Sequence, residues 1–128
     1  METNSLQGDL IECLLSAQST GNEVSLVFCY PESFTGFKGH FPGDPILPGV
    51  CILQSLRIGL ERTWDQPLRL AGIVDAKFVS QVKPGDELLF KVRETARDNA
   101  VIAVRAKVTR KGARVAELTV KLEPGPVS

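Results

Sequence analysis

Residues 49–62, Gly-Val-Cys-Ile-Leu-Gln-Ser-Leu-Arg-Ile-Gly-Leu-Glu-Arg, constrain this chain more than any other stretch. They are apolar almost all round at helical spacing. A helix with that pattern cannot lie on a surface and has to be enclosed. Pro48 stands near its start, where a missing N–H costs nothing, and Trp64-Asp65-Gln66-Pro67 ends it. What encloses it follows in the second half. Val74, Ala76, Phe78 and Val82 are expected on one face of a strand within Leu70 to Val82. Leu88, Phe90 and Val92 then alternate with Glu87, Lys91 and Arg93. Ile102, Val104, Ala106 and Val108 alternate with Arg105, Lys107 and Thr109, and Ala116, Leu118, Val120 and Leu122 with Glu117, Thr119 and Lys121. Period-two alternation gives each strand one dry face and one wet face.

The turns between these runs have recognisable chemistry. Lys83-Pro84-Gly85-Asp86 pairs a proline that presets one dihedral with a glycine that permits the next. Arg97-Asp98-Asn99 and Lys111-Gly112 read as hairpin turns. Before the helix, Asn22 to Tyr30 reads as a strand through Val24, Leu26, Val27 and Phe28. Leu10 to Ala17 fits either a short strand or a helical turn, and Pro31 to Pro48 is irregular. A strand, one apolar helix and an antiparallel meander make an α+β domain, a curved sheet wrapped around one helix. With 128 residues the chain has the size of one domain. Its core is expected from about residue 9 to 122, between a loose polar N-terminus and a Pro/Gly tail.

Composition narrows the function. Lys+Arg and Asp+Glu both number 15, so the formal charge is zero. Nothing pulls the chain toward nucleic acid or an anionic membrane. Zero net charge also leaves copies free to associate. The longest apolar stretch, Val50 to Leu60, is broken by Gln54, Ser55, Arg57 and Gly59 and is too short to span a bilayer. Cys13, Cys29 and Cys51 are odd in number and widely spaced, which suits neither a disulfide framework nor a zinc site. A reducing, cytoplasmic setting is expected.

The chemistry concentrates in Gly39-His40-Phe41-Pro42-Gly43-Asp44-Pro45-Ile46-Leu47-Pro48-Gly49-Val50. His40 is the only histidine, and so the only side chain whose unperturbed pKa lies near neutrality. Helix N-termini present unpaired amides and a positive dipole end. At Gly49, with no side chain in the way, a carbonyl oxygen could approach such amides closely. That arrangement stabilises an oxyanion or enolate, at ~3–4 kcal/mol per donor. A neutral imidazole in the preceding loop could take a proton from the carbon next to the carbonyl. Read singly, His40 is equally a structural histidine and the Pro/Gly density a long loop.

The whole segment closely resembles the signature of the 3-hydroxyacyl-acyl-carrier-protein dehydratases (FabA/FabZ-like), a hot-dog-fold family of fatty acid synthesis. Asp75-Ala76-Lys77-Phe78 and Val82-Lys83-Pro84-Gly85-Asp86-Glu87-Leu88 resemble the family's strand and turn, and the likeness runs from about Pro31 to Leu122. It implies a hot-dog fold and a homodimer, or a higher dimer-based oligomer, with sites at the subunit interface. It implies an acyl thioester on acyl carrier protein or coenzyme A as substrate, and no metal or redox cofactor. By position, His40 matches the catalytic histidine and Gly49 the glycine whose amide polarises the thioester carbonyl. Phe41, Pro42, Leu47 and Val50 would bind substrate. The family's second catalytic residue, a Glu or Asp on the helix, falls on Gln54. Glutamine can hydrogen-bond a hydroxyl but cannot usefully exchange a proton near neutral pH. Losing general acid help of 10²–10⁴-fold raises the barrier by roughly 3–5 kcal/mol.

No other acid stands in an obvious place to substitute for it. Glu61 lies two turns along, roughly 10 Å by helical rise. Asp44 suits a local backbone cap, and Glu32 precedes the motif. Cys51, flanked by apolar residues, reads as an inert thiol rather than a nucleophile. Arg105, Lys107, Arg110, Lys111 and Arg114 could dock an acidic carrier or coenzyme A phosphates, or simply form a solvated face. Arg57 interrupts the apolar helix and is expected to reach an interface or an acid. Three functions remain open: a dehydratase or hydratase of fatty acid or polyketide-type metabolism, a hot-dog thioesterase, and a non-catalytic thioester-binding subunit paired with an active homologue.

Overall fold

The computed structural model of the chain describes residues 2–37 and 45–125, with side chains from residue 8 onward. Helix α1 (Glu2–Cys13) leads into β1 (Leu14–Thr20) and β2 (Glu23–Cys29). A 3-10 turn (Thr35–Phe37) follows, then helix α2 (Gly49–Trp64) and strands β3 (Leu68–Phe78), β4 (Glu87–Asp98), β5 (Val101–Arg110) and β6 (Ala113–Pro124). The strands form one six-stranded sheet in the order β1-β2-β4-β5-β6-β3, antiparallel at every pairing. This is the hot-dog fold.

The dry faces of the strands meet α2. Leu26, Phe28, Leu88, Phe90, Val104, Ala106, Leu118 and Val120 are fully buried, as are Leu56 and Leu60 on the helix. The helix lies so close to β2 that a methyl group added at Gly59 would come within 2.5 Å of a Leu26 methyl. Where α2 crosses the sheet, only a glycine leaves room. One polar chain runs through this core. Ser55 Oγ donates to the Cys51 carbonyl at 2.7 Å, and the buried Tyr30 hydroxyl meets Ser55 Oγ at 2.8 Å. Both hydroxyls are thereby satisfied, which removes the desolvation cost of burying them. Burial pushes the Tyr30 hydroxyl far above its ordinary pKa, so it stays neutral.

The turns follow their sequence chemistry. Gly85 takes φ +88°, and Asp86 Oδ2 accepts from the Lys83 amide while its own amide donates to the Lys83 carbonyl. Lys111 and Gly112 both have positive φ, the pair a tight type I′ hairpin needs. The helix ends at Asp65, which adopts the left-handed conformation and donates its amide to Glu61.

Residues 2–8 form the first turns of α1, whose Leu10 and Cys13 are buried in the core. The stretch Leu10 to Ala17 is the end of that helix and the start of β1. One expectation needs correction: Val74, Ala76, Phe78 and Val82 do not share a buried face. Register shifts at Leu70/Gly72 and Ile73/Asp75 break the alternation, and a bulge re-aims the side chains that follow it. Val74 and Phe78 are exposed, Ala76 is half-buried, and Val82 is buried beyond the strand's end.

The tight crossing gives a direct test. Gly59→Val should overpack the contact with Leu26 and destabilise the fold by about 1–3 kcal/mol. The drop would be read as a lower urea midpoint at unchanged m value. An unchanged midpoint would mean that the helix is not held against β2 as described.

Candidate active site

His40, Phe41, Pro42 and Asp44 lie outside the described residues. What the structure places is the far end of their segment and the helix it opens. The Leu47 amide donates to the Val82 carbonyl at 2.8 Å, and its side chain is buried. This bond ties the approach to α2 to the chain that follows β3. Pro48 then takes extended geometry as the residue before the helix, and its carbonyl accepts the Cys51 amide at 3.0 Å. Proline has no side-chain acceptor, and the first turn holds no acidic residue. Among the described residues, no side chain caps the opening amides at Gly49 and Val50, which stand at the positive end of the helix dipole.

Gly49 has a packing reason as well. A methyl group added there would stand 2.9 Å from Cζ of Phe78 and within about 3.2 Å of two more ring carbons. The space vacated by the missing side chain is filled by an aromatic ring from the end of β3, not left open as the sequence suggested. Ile46, Leu47, Gly49, Ile52, Phe78, Val79, Ser80 and Gln81 surround a cleft of about 320 Å³ at this point. Val50 is 57% exposed, and Phe78 and Val79 are also exposed. Such a cleft suits an apolar group that brings an acceptor oxygen to the helix start.

Gln54 is half-buried, and its Oε1 accepts from Arg57 Nε at 2.6 Å. Arg57 goes on to Glu61 Oε2 at 3.1 Å and to the Leu68 carbonyl at 3.2 Å, while the Leu68 amide donates to the same Glu61 oxygen at 2.7 Å. Glu61 is thus committed to holding α2 against the start of β3, and it does not replace the missing acid. The pairing expected for Arg57 is intramolecular here. Sequence reasoning assigned no site role to Arg57 or to the ring of Phe78; the i, i+3 spacing from Gln54 was the available signal for the first.

The remaining candidates sort readily. Cys51 is buried and its thiol pKa is raised by that burial, which makes it a poor nucleophile. Cys13 is likewise pushed up to about 11, by burial first and then by Asp9. All three cysteines are free. The basic hairpin is partly neutralised: Arg110 pairs with Asp86 at 2.9 Å, and Arg114 with Glu117 at 2.8 Å. Glu32 is exposed. Among the described residues, no group of three or more His, Cys, Asp or Glu could hold a metal ion, and no helix is long and apolar enough to cross a membrane.

The contact between Gly49 and Phe78 is open to a double-mutant cycle. Gly49→Ala should destabilise the wild-type chain, and Phe78→Ala should remove most of that penalty. A coupling of about 0.5 kcal/mol or more from denaturant melts would confirm that the ring fills the glycine's space; strict additivity would refute it.

Comparison with known proteins identifies the family and the fold. A family model described as ApeI-like, ApeI dehydratase, matches residues 16–116. The 3-hydroxyacyl-(acyl-carrier-protein) dehydratase FabZ of Lactobacillus helveticus is 41% identical over 92 residues, 65% of this chain and 62% of that protein. The FabZ of Bacillus pumilus is 38% identical over 97 residues, 69% of this chain and 67% of that protein. The chain thus spans under two thirds of the length of the first of these relatives. Among solved structures, a chain of the dehydratase heterocomplex ApeI:P from Xenorhabdus doucetiae superposes with a TM-score of 0.69 at 20% identity, covering 86% of this chain and 96% of that one. That likeness concerns the fold. By the family match over residues 16–116 and its FabZ relatives, the chain belongs to the ApeI-like dehydratases, within the FabA/FabZ type of hot-dog protein.

Proposed function

We propose that the chain interconverts 3-hydroxyacyl and 2-enoyl thioesters, carried on acyl carrier protein or coenzyme A, as a dimer. The observation that supports this reading is the start of α2 at Gly49, which no described side chain caps, above an apolar-walled cleft and directly after the His40 segment. The thioester carbonyl would accept from the Gly49 amide, which stabilises the enolate formed when the α-proton leaves. His40 would take that proton as general base. The α C–H bond breaks, the C=C bond forms, and the β C–O bond breaks. Gln54 has no proton to give. The imidazolium of His40 must then return its proton to the departing hydroxyl, which leaves as water. One residue serves as base and then acid, and Gln54 orients the leaving group.

A dimer fits this chemistry. Gln54 follows Gly49 by five residues, about 7.5 Å of rise and about 140° around the helix. One copy cannot readily bring both to the same thioester. Strand β3 is one edge of the sheet and exposes Ile73, Val74 and Phe78, followed by the exposed Val79; Phe78 and Val79 also line the cleft. Unpaired, apolar edge strands invite another strand. A second copy joined there would cover these residues and bring its own Gln54, which lies near the start of β3 through Arg57 and Leu68, toward the first copy's helix start.

One observation favours a second reading. Gln54 lacks the family's acid, and the structural neighbour from Xenorhabdus is titled a heterocomplex. A homologue that supplies an acid could occupy the partner position and complete a site around His40.

The test follows absorbance of the conjugated enoyl thioester. The homodimer should interconvert both thioesters, and His40→Ala should lose at least about 10²-fold in kcat. A wild-type chain that is silent alone, and active only with an acid-bearing homologue, would replace the first reading by the second. Ile73→Lys with Val74→Lys should convert the dimer to monomer in sedimentation and abolish turnover with it. A dimer that survives both lysines would exclude β3 as the interface.

A further inference from the structure

The loss of the helix acid and the presence of Arg57 are one feature. A guanidinium has donors only. Its Nε–H therefore dictates which end of the Gln54 amide faces it, and the oxygen does, at 2.6 Å. The –NH2 end is turned away from Arg57, as a donor. The guanidinium itself is not free to move. Its Nη1 donates to Glu61 Oε2 and to the Leu68 carbonyl, and the Leu68 amide closes the ring of contacts on the same Glu61 oxygen. Only 12% of the Arg57 side chain and 20% of the Glu61 side chain are exposed. The clamp therefore spans α2 and the start of β3 in a half-sheltered place, where fork geometry and charge count for more than at an open surface.

Resting on the dehydratase reading above, we propose that Arg57 is a positioning residue. It fixes Gln54 as a hydrogen-bond donor toward the oxygen of the leaving hydroxyl, and it would hold any carboxyl group at this position in its ionised form. An acid pinned as a carboxylate cannot protonate a leaving group. Restoring the family's glutamate alone therefore does not restore general acid catalysis, because the guanidinium has to go as well. Elements α1, β1, β2 and β3 pack against α2, and β1 carries no charged side chain; of the charged side chains described on the others, Asp9 is bound by Thr35 and Arg69 by Glu123. Glu12, Glu23, Asp75 and Lys77 complete the described set. The charged side chain in contact with Gln54 is Arg57.

The test uses the full chain with glutamate carboxyls labelled by carbon-13. The introduced carboxyl is titrated by NMR in Gln54→Glu and in Gln54→Glu with Arg57→Met. Where the second protein fails to fold, Arg57→Gln, which keeps a donor for the Leu68 carbonyl, takes its place. In the single variant the carboxyl should titrate about 1–3 units below an ordinary glutamate near 4.3. Without Arg57 it should titrate at or above that value. Enoyl-thioester turnover should stay at or below wild type in the single variant and rise at least tenfold in the double variant, with a new alkaline limb in its pH profile from the acid. Equal carboxyl titrations with and without Arg57, or a single variant that gains as much activity as the double, would overturn the positioning role. The two readings fail separately. A titration shift in proteins that never turn over thioester would support the clamp while removing the dehydratase reading; turnover without the shift would do the reverse.

Discussion

Everything in this molecule depends on enclosing α2. The helix carries Ile52, Leu53, Leu56, Ile58 and Leu60 on nearly every side, and no single flat surface can cover such a cylinder. A sheet has to curl around it. The strands that do so need one apolar face each, and their alternation supplies that. Burying a Leu or Ile side chain contributes about 1.5–3 kcal/mol, so the helix and its wrapping strands account for most of the driving force. The same demand sets the fine geometry. Gly59 lets the helix approach Leu26, and the buried hydroxyls of Tyr30 and Ser55 satisfy each other.

Enclosure also creates the site. The amides along the body of α2 are paired within the helix, so its start is where unpaired amides can meet a ligand. The residue before the helix, Pro48, neither caps these amides with a side chain nor donates an amide of its own. Leu47 is pinned to the Val82 carbonyl, and Phe78 is laid against Gly49. The residues that define the cleft therefore come from the end of β3, the chain just after it, and the run into α2. A change in how β3 meets the sheet would move the cleft wall and the helix start together.

Much of this was legible in the residues. The span of α2, the alternation of β4 to β6 and the turns at Gly85 and Gly112 followed from periodicity and turn chemistry, because each is set by neighbours within a few positions. Strand β3 was not, because its bulges depend on pairing with β6, far along the chain, as in Leu70 with Leu122 and Asp75 with Thr119. The same long-range packing places Phe78 over Gly49, and no local pattern announces it. The N-terminal helix was missed because its first residues are polar, whereas Leu10, Ile11 and Cys13, which pack into or against the core, lie near its end. Of the candidate site residues, Gly49, Leu47 and Gln54 were named from their position in the motif, whereas the hydrogen-bond partner of Gln54 was not. Three residues of spacing bring Arg57 within reach of Gln54, whereas the clamp also needs Leu68, whose place beside the helix only the folded chain reveals.

The glutamine is where these levels meet. Read alone, Gln54 is a deletion of acidity on an otherwise intact scaffold. Read with Arg57, it is the residue type that fits its surroundings. A neutral amide can accept from the guanidinium with one end and donate with the other. A carboxylate would accept from the guanidinium and leave only acceptors for a hydroxyl oxygen, and a neutral carboxylic acid would sit beside a fixed positive charge that favours its ionisation. Arginine at 57 and an effective acid at 54 are therefore physically incompatible, whereas arginine and glutamine are matched. The match also has a structural side, since Arg57 and Glu61 together fasten α2 to the first residue of β3. The chemistry available at position 54 is in this way fixed by the contact that holds the central helix to the sheet's outer strand.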